Sequence, residues 1–412
     1  MRILFIWPAV ENAELGNFLP LGFGYLAANL PKGHEVRLWD GVLARDRGNE
    51  AVIEEIRRFQ PELIGLSLWH FNMKAAREVV RQVRQRFPAT VLAAGGPSVS
   101  GYGAKTFAAA DVDYAFVGEG EKSFGQLVEL LARGKPDSNA LKQIDGLMCR
   151  ERHGGVACNP PRWGSLDELS YCDYDLMNLN GYLANGYRYG IHSQAKRTAP
   201  ILTTRGCPYG CEYCGARHVT GRTVRTRPVE SVAAEIKHLH ERFQIDGFNI
   251  VDDNFTFHLD YAKQVCRAIQ GLGLKGVSFC SPNGVRAERL DEELLHLMKQ
   301  AGWEWLFIAP ESGSERTLAN MRKGVSLRVV EEKVKMIKAA GLRVFGFFMI
   351  GYPGETRADI RKTIHFACRN DFDLAVFTCF QPLAGTPAYE KLLRDGEIAG
   401  PPEGLDYFEV SY

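Results

Sequence analysis

Strand-length apolar runs alternate with helical periods twice along this chain, with one interruption between about residues 138 and 200. This alternation restricts the fold more than any single motif. Parallel strands need a crossover helix between them and, buried on both faces, read as continuous apolar runs. The first set of runs is Arg2–Trp7, Glu35–Trp39, Leu63–Leu68, Thr90–Ala94 and Asp113–Val117. Between them Val52, Ile53, Ile56 and Phe59 share one helical face, as do Ala76, Val79, Val80, Val83 and Phe87. The pattern predicts an α/β fold with a doubly wound parallel sheet over residues 1–137, whose ligand lies outside the carboxyl ends of the strands.

The interruption, residues 138–198, reads as an ordered linker with a hairpin near Gly154-Gly155. Its aromatics, Tyr174, Tyr182, Tyr187 and Tyr189, either line an apolar pocket or pack the linker; Tyr407, Phe408 and Tyr412 near the C-terminus pose the same choice. The alternation resumes with Ile201–Thr204, Gly247–Asp252, Gly276–Cys280, Glu304–Ala309, Arg343–Ile350 and Asp373–Phe380. Val330, Val334 and Ile337 mark one helical stripe; Leu294, Leu297 and Met298 mark another, closed by Gly302 as a C-cap. Six β/α units predict a partial TIM-type barrel over residues 199–390, with chemistry at the C-terminal strand ends, then a segment at 391–412.

Composition closes off several classes. A formal net charge of +1 gives no bulk attraction to nucleic acid or anionic membrane. No run of eighteen apolar residues occurs and no secretory leader is legible, so the chain reads as soluble and cytoplasmic. Its ten cysteines therefore do not read as a disulfide framework.

Three of them, Cys207, Cys211 and Cys214, form a CxxxCxxC pattern in the loop after the first barrel strand. Soft thiolates at that spacing select an iron–sulfur cluster or zinc. A structural zinc site wants a fourth ligand, for which His218 is the nearby candidate. Three thiolates on a cubane instead leave one iron open to a chelating cofactor. From about Ala199 to Glu390 the chain closely resembles the radical S-adenosylmethionine (radical SAM) superfamily. The resemblance implies a [4Fe–4S] cluster on Cys207, Cys211 and Cys214, S-adenosylmethionine on the unique iron, and cleavage to a 5′-deoxyadenosyl radical. Tyr213 stands at the family's aromatic position. Asp252 or Asp253 would bind the cofactor's amino end, Asn283 and Arg286 would add polar contacts, Glu311 and Ser312 resemble the ribose motif, and Met349-Ile350 the adenine segment. Each has a plain structural alternative: helix caps at Asp252 and Asp253, a turn at Asn254, a surface pair of Glu311 with Arg316. A flavodoxin- or ferredoxin-type protein would supply the electron.

In the first domain Gly22-Phe23-Gly24-Tyr25-Leu26-Ala27 matches G-x-G-x-x-A, a nicotinamide fingerprint, but it lies some fourteen residues beyond the first strand instead of at its end. The stretch more closely resembles the N-terminal half of cobalamin-dependent radical SAM proteins. The segments carrying that resemblance are Leu21-Gly22 with Tyr25, Gly95-Gly96, and Gly118-Glu119-Gly120; Ser67, Trp69 and His70, by their place after the third strand, join them as expected contacts. These are implied cobalamin contacts. The Asp-x-His-x-x-Gly signature is absent and Pro8 to Pro20 contains no histidine, so no histidine from that loop ligates cobalt. His70 is either a ligand or a packed histidine. The resemblance implies a C-methyltransferase acting on an unactivated carbon of a small molecule or natural product. The alternative is a cyclase or oxidoreductase using the same parts without methyl transfer. A methylthiotransferase would need a second cluster, for which no cysteine spacing exists. A cobalamin sensor would not need the cysteine triad.

Overall fold

The computed structural model describes residues 1–8, 18–44, 48–151 and 153–400. Most of the histidine-free loop, and Tyr407, Phe408 and Tyr412, lie outside the described residues. Five strands, β1 (Arg2–Trp7), β2 (Glu35–Asp40), β3 (Leu63–Ser67), β4 (Val91–Gly95) and β5 (Tyr114–Phe116), run parallel in the order β2-β1-β3-β4-β5. Alternate residues serve two cores. Leu4, Ile6, Ile64 and Leu66 face the helices Gly48–Phe59 and Met73–Arg86, whereas Ile3, Phe5 and Leu63 face Leu21–Ala28 and Glu121–Ala132. The chain leaves β1 in opposite directions for β2 and β3, which makes the carboxyl ends of β1 and β3 the switch point where such sheets bind ligands.

The hairpin at Gly154-Gly155 forms from β6 (Leu147–Arg150) and β7 (Val156–Cys158), and β6 pairs antiparallel with β5. The first sheet thus continues to Cys158, past the boundary expected at residue 137. Leu147 and Met148 are 1% exposed, so burial decides the pairing although their run is too short to show a period.

The barrel comprises two three-stranded parallel half-sheets. One orders β8 (Thr198–Ile201), β11 (Gly247–Ile250) and β12 (Ser278–Cys280) as β12-β11-β8; the other orders β13 (Trp305–Glu311), β14 (Arg343–Ile350) and β15 (Leu374–Cys379) as β13-β14-β15. Single bridges, Phe279 to Trp303 and Val285 to Ile308, join the halves. The first strand lies three residues earlier than the expected Ile201–Thr204, sharing only Ile201 with it and beginning at Thr198, the last residue assigned to the linker. The backbone N–H groups of Thr203 and Thr204 are taken by the Asp252 carboxylate at 2.7 and 2.9 Å, which pulls the chain out of the ladder.

Residues 189–193 thread the barrel interior. The Tyr189 hydroxyl donates to Asn283 at 2.7 Å, and Ile191 packs against Cys280, Trp305, Phe307 and Phe345. His192 bridges Ser278 and Asn249 at 2.7 and 2.9 Å, and the Ser193 N–H reaches Glu304 at 2.9 Å. Gly190 is obligatory here: its φ is +76°, and a Cβ would stand 2.3 Å from Asn249 Oδ1. Tyr174, Tyr182 and Tyr187 are buried in the barrel's main core, so the linker aromatics pack, while Tyr189 alone of the four stands at the strand ends. Among the described residues no helix is long and apolar enough to cross a membrane.

Candidate functional site

The cysteine loop leaves the barrel through β9 (Thr204–Arg205), which pairs antiparallel with β10 (Arg225–Thr226). Gly206 turns the chain at φ +105°; a Cβ there would lie 2.1 Å from the Thr223 carbonyl. The Cys207 N–H then bonds Gly221 O at 3.1 Å, and the Cys214 N–H bonds Cys211 O at 3.3 Å. The loop's middle is pinned at Glu212: its N–H donates to Met321 O and its carbonyl accepts from Ala388 N, each at 3.0 Å, while its carboxylate meets Arg322 at 2.9 Å.

Burial pushes the Cys214 thiol up to about 12, with Asp253, Cys211 and Cys207 acting in the same direction. Burial likewise raises Cys207, against the pull of Arg286. Two partly desolvated thiols, Cys207 and Cys214, beside a carboxylate need a cation to become thiolates, which fits a metal cluster. A cubane takes one thiolate per iron, so its sulfurs stand on separate corners. Among the described residues no three His, Cys, Asp or Glu side chains converge as ligands of one ion. His218 accepts from Arg217 at 3.2 Å, and burial lowers its pKa.

Around this loop the strand ends place the expected cofactor contacts unequally. Asp253 accepts from Thr220 at 2.5 Å and faces Cys207 and Cys214, so it is the carboxylate beside the cluster loop. Asp252 is not: it is 2% exposed and accepts from the backbone and hydroxyl groups of both Thr203 and Thr204. Burial raises its pKa to about 7 although these donors oppose the shift. Its role is to tie two strand ends together. Arg286 stacks 3.8 Å over Tyr209 of the cluster loop and pairs with Glu288. Asn283 spans Tyr189 and the Val251 carbonyl. Met349 packs with Tyr213 on the apolar group of Met321, Tyr352 and Phe380, and the Ile350 carbonyl accepts from Phe380 N.

Glu311 sits at φ +67°, at a register shift in β13, and its Oε1 accepts from Tyr213 Oη at 2.8 Å and Lys323 Nζ at 2.9 Å. Ser312 turns the other way. It is fully buried, shares a 2.9 Å bond with the Thr363 hydroxyl and accepts from Ser314 N, so it fastens the strand to the helix Arg357–Arg369 and does not face the site. Gly313 is required by that contact, since a Cβ would lie 2.5 Å from Lys362 O. Arg316 pairs with Asp359, leaving Lys323 as the partner of Glu311. Nothing in the sequence pointed to Lys323; its chain position, twelve residues beyond Glu311, carries no periodic signal.

At the first sheet the switch point is aromatic. Trp69 is 38% exposed, stands edge-on to Trp7 at 6.1 Å and donates to Ser67 at 3.2 Å. Trp7 Nε1 and Ser98 Oγ are buried without a partner, and a Cβ at Gly95 or Gly22 would meet nothing within 4 Å. Leu21 is partly buried and packs on the barrel core. Unfilled donors beside an exposed indole and bare glycines fit a large ring with polar appendages. His70 is 9% exposed and packed 5.8 Å from Tyr102; burial lowers its pKa to about 4, so the ring is neutral, and its Nδ1 is buried without a partner.

Other expected corrin contacts serve packing or the domain contact. Gly96, at φ +103°, lets the chain pass Leu68 O, which a Cβ would approach to 2.8 Å. Gly118 lies under Pro161 and Trp163, and Gly120 under Leu26. Glu119 and Glu121 grip the cluster-loop hairpin: Arg225 meets Glu119 at 2.5 Å and Arg205 meets Glu121 at 2.6 Å. Tyr25 is 1% exposed beneath the Arg205 guanidinium, 4.9 Å away. The G-x-G-x-x-A match falls inside the helix Leu21–Ala28, with Gly24 against Met177, so it forms no strand-end phosphate loop.

Two family models match this chain: the B12 binding domain over residues 13–128 and the radical SAM superfamily over residues 201–367. An uncharacterized methyltransferase of Pyrococcus horikoshii is 32% identical, over 95% of this chain and 83% of that protein. Cytidylyl-2-hydroxyethylphosphonate methyltransferase of Streptomyces wedmorensis is 27% identical, over 94% and 80%. In fold, the chain resembles the radical S-adenosylmethionine methyltransferase TsrM of Kitasatospora setae, solved with cobalamin and a [4Fe–4S] cluster, with a TM-score of 0.79 at 20% identity over 96% of this chain and 78% of that one. The cofactor set that goes with the two matched families is a [4Fe–4S] cluster, S-adenosylmethionine and cobalamin. A cysteine loop at a barrel mouth, an aromatic switch point on a doubly wound sheet and both family matches lead to one assignment: the chain belongs to the radical SAM superfamily, among the enzymes that carry a B12-binding domain ahead of the barrel.

Proposed function

We propose that this enzyme transfers a methyl group to an unactivated carbon of a small molecule held between the two sets of strand ends. One observation carries the reading: the carboxyl edges of the two sheets close on each other. The Tyr182 hydroxyl donates to Asp40, at the end of β2, at 2.7 Å; Phe18 meets Tyr189 at 5.5 Å; and the turn after β5 clamps the cluster loop through Glu119 and Glu121. Both relatives described above are methyltransferases. When bound, the cluster and S-adenosylmethionine supply a hydrogen-abstracting radical, and the corrin supplies a transferable methyl group. The chain's part is placement. Cys207, Cys211 and Cys214 would hold the cluster, Asp253 and Glu311 would receive the cofactor's polar ends, and the surface around Trp69, Gly95 and Gly22 would seat the corrin. Residues 1–137 with the hairpin to Cys158 would form the corrin module and residues 199–390 the radical module. The thread at 189–193 occupies the lumen, so the acceptor sits above it, between the modules. A flavodoxin- or ferredoxin-type donor would reduce the cluster.

The test is to load the protein with iron, sulfide and hydroxocobalamin, reduce it, and add methyl-labelled S-adenosylmethionine without acceptor. S-adenosylhomocysteine together with label on the corrin is expected. Formation of 5′-deoxyadenosine with no label on the corrin would favour redox chemistry without methyl transfer. Neither product would sink the proposal.

A further inference from the structure

Lys323 is 6% exposed, and its ammonium makes two hydrogen bonds, to Glu311 Oε1 at 2.9 Å and to Tyr213 Oη at 3.1 Å. Tyr213 also donates to Glu311 at 2.8 Å. The three side chains close a ring joining the cluster loop, the end of β13 and the turn after the helix Glu315–Asn320. That turn grips the cluster loop twice more, through Met321 O and the Arg322 guanidinium on Glu212. Arg322 itself takes φ +47°, an unfavourable conformation for a side-chain-bearing residue. Glu311 is also left-handed, so two non-glycine residues eleven apart are held in uncommon backbone states where they meet one loop. Both donors converge on Oε1, which leaves Oε2 to take a further donor.

We propose that Lys323 is a positioning residue for S-adenosylmethionine: it fixes the Glu311 carboxylate against Tyr213 and presents its second oxygen to the cofactor's ribose hydroxyls. The assignment rests on the reading of Glu311 as a cofactor contact. A buried carboxylate with one oxygen saturated by an ammonium and a phenol offers the other in a single orientation, and a diol needs an acceptor already in place. Lysine suits the task because its ammonium donates to the carboxylate and to the phenol at once, 5.9 Å from the centre of the Tyr213 ring.

The experiment is an equilibrium measurement of S-adenosylmethionine affinity on cluster-loaded, oxidised protein, with iron content and thermal stability measured alongside. Lys323→Met is expected to weaken binding about 20-fold with iron retained, and Lys323→Arg to recover most of that loss. Glu311→Gln is expected to weaken binding by a similar factor, and adding Lys323→Met to it should cost less than about twofold more, because both act through one carboxylate. Wild-type affinity in Lys323→Met, or losses that simply multiply in the double variant, would overturn the proposal. Wild-type affinity in Glu311→Gln would instead remove Glu311 from the cofactor and the reading beneath the proposal. If Lys323→Met does not fold, Lys323→Gln decides: unchanged affinity overturns the proposal, and a loss of about fivefold or more that disappears with Glu311→Gln supports it.

Discussion

The two strand-end faces that meet in this molecule are built differently. At the barrel, carboxylates are already engaged: Asp252 by two threonines, Glu311 by Lys323 and Tyr213, Asp253 by Thr220. At the first sheet the surface is aromatic, and polar atoms such as Trp7 Nε1, Ser98 Oγ and His70 Nδ1 have no partner. A face that must orient a small charged cofactor keeps its own acceptors in position beforehand. A face that receives a broad ring leaves donors for the ligand to satisfy. Between them lies a third chemistry, the ion pairs of Arg205 and Arg225 with Glu119 and Glu121, nine-tenths buried on the arginine side.

The contrast can be broken most sharply at the cluster. Cys211→Ala should abolish cluster retention and S-adenosylmethionine cleavage while cobalamin stays bound. Metal analysis and the corrin absorbance check it, and joint loss of both cofactors would mean the faces are not separable. Next in size is Arg205→Ala. It removes the hydrogen-bonded cation of Glu121 and leaves Arg225 alone to offset both Glu119 and Glu121, and should destabilise the protein by about 3 kcal/mol, because an under-compensated, largely buried charge is far costlier than a lost surface pair. Denaturant titration measures this, and a change under about 1 kcal/mol would show that the clamp does not join the modules. The smallest effect belongs to the first sheet. The folded-state pKa of His70 is about 4, below the ordinary value of 6.5. The unfolded chain therefore takes up a proton first as pH falls, and the stability this neutral histidine contributes is full above 6.5 and lost progressively toward 4. Between pH 7 and 5 the loss should be about 2 kcal/mol. His70→Phe should flatten that part of the stability profile, and an unchanged slope would mean the ring is not held neutral.

Much of this architecture was legible because burial writes itself as pattern. The parallel strands of both sheets show as apolar runs, and the cluster loop as spacing. The failures have particular causes. Leu147 and Met148 joined the first sheet without a readable period, because a short edge hairpin supplies too few residues. Ser312 and Asp252 were read as cofactor contacts because their positions in the motif are right. Only three dimensions show that Thr363 and the Thr203–Thr204 pair had already claimed them. Glu119 and Tyr25 likewise found partners on the opposite module. Lys323 was invisible for the converse reason, since its partners come from two segments distant in sequence.

The thread through the barrel also bears on how the halves can come together. Gly190 and His192 meet the first half-sheet, Ile191 packs on both, and Ser193 reaches Glu304 just ahead of the second, while among the described residues single bridges join the two ladders. The thread precedes every barrel strand in the chain, so during synthesis it emerges first and waits. The first half-sheet can form on it while the second is still unmade, and the second then packs against a segment already seated.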